Sequence, residues 1–298
     1  MPAQDIRISY SCSRTASERS WPATHLPSNT LVSIDTFVRT VARPPAEFAW
    51  AWALERDASE PLSVHVVRAL TDETRAPPGE NELVLWFGAP KTGAEATRNA
   101  ANLLDALSDD ERMRAVNFRF DADRWAFAAA HAGLRRLLGP MLGCAPRALR
   151  FRADVNQKPY LDHNGRYVTL QCSISHTRGC VSVAVAGRAV GVDVERRREL
   201  PDLMAVARMM FPPEAYANLA ARTDPAARTT LFYRYWTLGE ALIKATGDGF
   251  AQDLKSFAFT EEDAPALSRV SPVWGPTRRW RFYCQPRSCS LAWAIHTA

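Results

Sequence analysis

Two segments constrain this chain more than any others: Gly191-Val192-Asp193-Val194-Glu195, and Trp236-Thr237-Leu238-Gly239-Glu240-Ala241-Leu242-Ile243-Lys244. The first follows an alternating apolar run, Val181, Val183 and Val185, and predicts a β-strand. Side chains two apart share a strand face, so Asp193 and Glu195 project together while Val192 and Val194 turn into a core. The second predicts a helix, on which Trp236, Glu240 and Lys244 share one row. Two carboxylates on a strand and a third on a helix suit an oxygen-ligand site for Mg²⁺. A lysine one turn beyond the third carboxylate is placed to meet phosphates that such a metal holds.

The chain has 298 residues, enough for one large core or two modest ones. No run of 18 apolar residues occurs, which predicts no transmembrane helix. The N-terminus lacks a basic-then-apolar leader pattern, so a cytoplasmic protein is expected. The six cysteines show neither CxxC nor zinc spacing, and reduced thiols are expected. The net charge of +5 is uneven: residues 1–81 carry −2 and the remainder +7. A basic region of that kind favours a polyanionic partner. Only four of the 37 basic residues are lysines (Lys91, Lys158, Lys244 and Lys255). An ammonium is a compact point charge that the planar guanidinium replaces poorly at a tight phosphate site.

Residues 1–81 read as a variable N-terminal extension, partly disordered, with prolines at Pro44-Pro45, Pro61 and Pro77-Pro78 and apolar runs at Leu31 to Val41 and Phe48 to Leu54. The ordered core is expected from the strand Glu82 to Phe87. Ser108-Asp109-Asp110-Glu111 predicts a capped helix start. A second helix is expected from Asp123, ended by Gly139-Pro140. Gly187-Arg188 predicts a hairpin joining strands Cys180–Ala186 and Ala189–Glu195. Helices are expected over Leu203 to Met210, Pro213 to Ala221 and Ala226 to Thr246, the last stopped at Gly247. The tail alternates like strands. These elements predict an α/β (α+β) fold with subdomains at 82–186 and 187–298.

The ordered set Gln157-Lys158-Pro159-Tyr160-Leu161, Ser173-Ile174-Ser175-His176, Gly191 to Glu195 and Trp236 to Gly247 resembles the 4′-phosphopantetheinyl transferases. The likeness is to the larger type that acts on carrier domains of peptide and polyketide synthases. It runs from about Glu82 to Ala298. It implies two similar α/β subdomains in a pseudo-dimeric arrangement, with coenzyme A bound between them. By resemblance, Asp193, Glu195 and Glu240 are the Mg²⁺ carboxylates, and Lys244 neutralises the pyrophosphate. Lys158, Ser175 and His176 contact the 3′-phosphate of the adenosine end, and Arg124 lies near the cofactor phosphates. Two departures stand out: Gly239 replaces a lysine that usually precedes the helix glutamate, and Gln157 replaces a glycine before Lys158.

The implied reaction moves 4′-phosphopantetheine from coenzyme A to a serine of an apo acyl or peptidyl carrier protein, releasing adenosine 3′,5′-bisphosphate. The serine belongs to the carrier, so the chain needs no nucleophile of its own. Glu240 is the candidate base, acting directly or through a metal-bound water. A monomer is expected, because both halves lie in one chain. No membrane or nucleic-acid partner is expected. Ser175 and His176 do not read as a hydrolase pair, since strand neighbours face opposite sides and no GxSxG elbow occurs. A catalytically silent binder of coenzyme A or carrier is the alternative that Gly239 keeps open. A nucleic-acid binder would rest on Arg278 to Tyr283 alone.

Overall fold

The computed structural model describes residues 8–12, 62–67, 70, 76–88, 103–153, 159–162, 170–247, 253–286 and 289–297. Their strands are β1 (Ile8–Cys12), β2 (Ser63–Val67), β3 (Glu82–Gly88), β4 (Arg150–Ala153), β5 (Pro159–Asp162), β6 (Gln171–Thr177), β7 (Cys180–Ala186), β8 (Val190–Arg196), β9 (Ala258–Phe259), β10 (Leu267–Arg269), β11 (Trp280–Pro286) and β12 (Cys289–His296). The helices are α1 (Asp109–Val116), α2 (Asp121–Leu142), α3 (Leu203–Met210), α4 (Pro213–Ala221) and α5 (Pro225–Thr246).

A five-stranded sheet of order β1-β6-β7-β3-β2 faces a three-stranded sheet of order β11-β12-β8. Alternation assigns each strand face. Cys172 and Ile174 of β6, Val181, Val183 and Val185 of β7, and Val84 and Trp86 of β3 pack against α2. Leu83, Leu85, Ala184 and Ala186 point the other way and meet Val190, Val192, Val194, Leu291, Trp293 and Ile295 of the second sheet. Ala292, Ala294, Phe282 and Cys284 face α5, α3 and α4. The layers therefore run helix, sheet, sheet, helices, as a mixed α/β fold requires when each sheet has two apolar faces.

Helix boundaries follow local chemistry. Ser108 caps α1 with a complete capping box to Glu111. Asp224 accepts from Ala226 N and Ala227 N at the start of α5, which ends at Gly247 with φ of 79°. Helix α2 departs from expectation. It runs through Gly139-Pro140 to Leu142 and stops at Gly143, φ 64°. Gly139 serves the returning chain instead, because a Cβ there would stand 2.8 Å from Cys144 O.

Three expectations are corrected. The 1–81 region is not wholly separate from the core, since β2 pairs in parallel with β3 and β1 with β6. The Leu31–Val41 and Phe48–Leu54 runs lie outside the described residues. Strands β7 and β8 do not form a hairpin. Both edges of β7 are taken, by β6 and β3, and β8 pairs with β12 in the other sheet. Gly187 lets the chain cross, for a Cβ there would meet Gly79 O at 2.5 Å. Finally, Cys180 and Cys289, 109 residues apart, form a disulfide between the two sheets, while Cys144, Cys172 and Cys284 are free.

Candidate active site

Strand β8 lies directly on α5. A Cβ at Gly191 would stand 1.9 Å from Ala241 O and 2.6 Å from Ala245 N, so only glycine fits. That contact presses the next residue on the same strand face, Asp193, against the helix. Asp193 is 2% exposed and Lys244 4%. Lys244 Nζ donates to Asp193 Oδ1 at 2.6 Å and to Val192 O at 3.0 Å. Ser175 Oγ donates to the same Oδ1 at 2.8 Å. The other oxygen, Oδ2, is buried and makes no hydrogen bond. A buried carboxylate oxygen with a free lone pair is costly unless something positive meets it.

Glu240 stands one helical turn before Lys244. Burial, and then the charge of Asp193, push its carboxyl up to about 7, with Lys244 pulling the other way. Near neutral pH it is therefore poised to hold or release a proton. Glu195 is half-buried two residues beyond Asp193. Its charge is felt at Tyr233, whose phenol is raised by burial, with Arg198 opposing and Glu195 reinforcing the shift. Tyr233 is nearly two turns from Glu240 on α5. Among the described residues, no three His, Cys, Asp or Glu side chains gather closely enough to hold a metal ion. The sequence grouped Asp193, Glu195 and Glu240 as one set. The structure couples Asp193 with Glu240 and leaves Glu195 two residues along β8, on the same strand face but not gathered with them.

Ser175 and His176 separate to opposite faces of β6, as the alternation requires. Ser175 is buried, and besides its bond to Asp193 its Oγ accepts from Val194 N at 3.2 Å. Ser173 Oγ accepts from Val192 N at 3.0 Å. The free edge of β8 is thus satisfied by serine hydroxyls of the neighbouring sheet, a joint the sequence reading missed. Its only trace is the Ser-Ile-Ser spacing, which puts both hydroxyls on one face. Ser175 braces Asp193 from inside the protein rather than reaching outward. His176 stands edge-on to Phe127 at 6.2 Å. Burial, then neighbouring His131 and Lys244, lower its pKa to about 4, so the ring is neutral at pH 7.

Arg124 has a local task. It donates to Ala115 O, Phe118 O and Asp121 Oδ1, tying the end of α1 to the start of α2. Lys158 lies outside the described residues. Trp236 is packing, stacked on Phe232 at 6.1 Å. A second buried polar cluster also escaped the sequence reading. Glu111 accepts from Arg135 Nε at 2.6 Å, and its Oε1 lies 3.0 Å from His131 Nδ1. Burial works against the Glu111 charge, but His131 and Arg135 outweigh it and hold the carboxyl at about 2.

The sequence pattern of the 4′-phosphopantetheinyl transferase superfamily matches residues 189–295, the stretch that carries β8, α5 and β12. The 4′-phosphopantetheinyl transferase HetI of Nostoc is 35% identical over 175 residues, covering 58% of this chain and 73% of HetI. A 4′-phosphopantetheinyl transferase of Bacillus subtilis is 28% identical over 188 residues, covering 63% of this chain and 80% of its own.

The chain belongs to the 4′-phosphopantetheinyl transferase family. In this transferase the departure at Gly239 has a packing reason. A Cβ there would come 2.4 Å from Leu254 Cδ2 and 3.4 Å from two Phe257 ring carbons. Helix α5 is covered at this point, and the glycine admits the cover.

Proposed function

We propose that this transferase moves 4′-phosphopantetheine from coenzyme A to a serine of an apo acyl or peptidyl carrier protein, with Mg²⁺, releasing adenosine 3′,5′-bisphosphate. The observation that carries the reading is the pairing of a bondless, buried Asp193 Oδ2 with the raised carboxyl of Glu240. A buried carboxylate oxygen with no hydrogen bond, beside a second carboxyl, fits a hard divalent cation. Asp193 and Glu240 would hold it, and Glu195, on the same face of β8 but not gathered with them, would have to turn toward the ion to be the third donor. When bound, Mg²⁺ neutralises charge developing on the phosphoryl oxygens.

The chain's own residues do the rest. Ser175 and Lys244 fix the Asp193 carboxylate in one orientation. Glu240 accepts the proton of the carrier serine as general base. Lys244 supplies positive charge beside the pyrophosphate oxygens as the bond between the two phosphates breaks and adenosine 3′,5′-bisphosphate leaves. Neutral His176 donates its N–H to the 3′-phosphate, and Lys158 and Arg124 add charge at the adenosine end. Coenzyme A lies between the halves at 82–186 and 187–298, the first enlarged by β2. The protein works as a monomer in the cytoplasm. Among the described residues, no helix is long and apolar enough to cross a membrane.

A second reading, a silent binder of coenzyme A, draws on one observation: Lys244 is already engaged with Asp193. Incubation with an apo carrier domain, coenzyme A and Mg²⁺, read by intact mass, separates the two. Gain of one phosphopantetheine, abolished by chelator, supports transfer. Coenzyme A binding without mass gain on several carriers supports the silent binder.

A further inference from the structure

Cys180 is the first residue of β7 and Cys289 the first of β12, with Cα atoms 6.8 Å apart, within reach of a disulfide. Both lie in the apolar layer between the two sheets, Cys180 buried and Cys289 half-buried. The pairing registers place them beside the site. On β6–β7 the pair Thr177–Cys180 follows His176–Val181. On β12–β8 the pair Cys289–Arg196 precedes Ser290–Glu195. The bridge thus crosses from one sheet to the other at the end where His176 and Glu195 emerge. The same β6–β7 turn is tied on its other side to α2, where Arg178 grips both oxygens of Asp123 at 2.8 and 3.0 Å.

We propose that Cys180 and Cys289 are a reversible redox modification site, a covalent clasp joining the two sheets at the strand ends that carry His176 and Glu195. The oxidant is a small-molecule disulfide of the glutathione class. The Cys289 thiolate, the more accessible of the two, attacks it and expels one thiolate, leaving a mixed disulfide. The Cys180 thiolate then attacks the Cys289 sulfur and expels the second. The protein loses two hydrogens, and the small disulfide is reduced to two thiols. Cys172 and Cys284 are buried, with thiols pushed up by that burial, and the half-buried Cys144 thiol is raised by desolvation as well and has no second cysteine paired with it. A bridge closing a 109-residue separation restricts the unfolded chain strongly, so the oxidised form is the more stable.

The functional consequence rests on coenzyme A binding between the halves. A bridge beside His176 and Glu195 restrains the strand ends next to that ligand and slows its passage in both directions. The test equilibrates the full chain in buffers of varied reduced-to-oxidised glutathione ratio, traps free thiols with a maleimide, and reads three quantities. Expected are a Cys180–Cys289 cross-linked peptide that appears and disappears with the ratio, and a thermal midpoint higher by about 5 °C when oxidised. Association and dissociation rates of coenzyme A are expected to fall by at least about threefold in the same form. The Cys180→Ser/Cys289→Ser variant should show none of these responses, and Cys172→Ser should keep them all. Absence of the cross-link at every ratio overturns the clasp. A cross-link with unchanged midpoint and unchanged rates overturns its role. If coenzyme A binds in neither redox state, the proposed function fails, and the cross-link and midpoint decide the clasp without it.

Discussion

Gly191 and Ala241 meet backbone to backbone, with no room for a Cβ between strand β8 and helix α5. Everything chemical in the site depends on that approach, because it sets Asp193 against Glu240 and Lys244. Gly191→Ala forces the helix away from the strand. Overpacking of a buried contact costs about 1–3 kcal/mol, and the immovable atom here is backbone, so the upper end is expected. Urea denaturation checks the stability loss. Transfer activity should fall further than stability alone explains at temperatures where the variant stays folded.

Lys244→Met leaves Asp193 buried and uncompensated. Breaking a buried pair from one side costs about 3–5 kcal/mol. The double variant Asp193→Asn/Lys244→Met removes both charges and should recover much of that loss. A double-mutant cycle on unfolding free energies checks this, and additive losses would show that the pair is not coupled.

Binding of Mg²⁺ should release protons. The Glu240 carboxyl, raised by burial and by Asp193, titrates at about 7 without metal. At pH 7 roughly half a proton leaves for each ion bound. Calorimetry in buffers of different ionisation enthalpy measures it. The release should shrink as pH rises above 8 and vanish in Glu240→Gln. For stability the sign is opposite to that of an ordinary carboxylate. The folded pKa exceeds the unfolded one, so this contribution is present below pH 4.5 and lost as pH rises through 7.

Acid should weaken the fold in two windows. His176 is lowered to about 4 by burial and neighbouring charge, so its contribution is full above pH 6.5 and lost as pH falls through 4. Glu111, held at about 2 by His131 and Arg135 against its burial, contributes above pH 4.5 and loses that contribution as pH falls through 2. Thermal midpoints measured in a Glu240→Gln background, which removes the opposing titration, should drop in both windows. His176→Gln should flatten the upper one and Glu111→Gln the lower.

Gly239→Ala tests whether packing outweighs helix propensity. Alanine is favoured over glycine in a helix interior by about 1 kcal/mol. Here the added methyl overlaps Leu254, itself buried, so the variant should be less stable than the parent. A gain in denaturation midpoint would show that Leu254 yields freely. Gly239→Lys should cost more again.

What the sequence disclosed follows from the range of each interaction. Helix limits at Ser108 and Gly247 are set by residues within one turn and were legible. The facing of Asp193 and Glu195 away from Val192 and Val194 follows from strand period alone. The partner of β8 was not legible, because it depends on which edges of β7 remain free and on how closely Gly191 lets α5 approach. Local spacing therefore suggested a hairpin at Gly187-Arg188 that does not form. The ion pair between Lys244 and Asp193, the bracing by Ser175 and the Cys180–Cys289 bridge join residues 18 to 109 positions apart, and no local pattern announces them.

In the proposed function Glu240, held beside Asp193, takes the proton of the carrier serine in a Mg²⁺-dependent transfer. The most direct measurement is the time course of carrier phosphopantetheinylation, by intact mass, for the parent and Glu240→Gln at saturating Mg²⁺. A rate loss of at least about 100-fold is expected, in the range of a lost general base, with coenzyme A affinity changed less than about threefold. A Glu240→Gln enzyme within about twofold of the parent rate, at the same affinity, would contradict it.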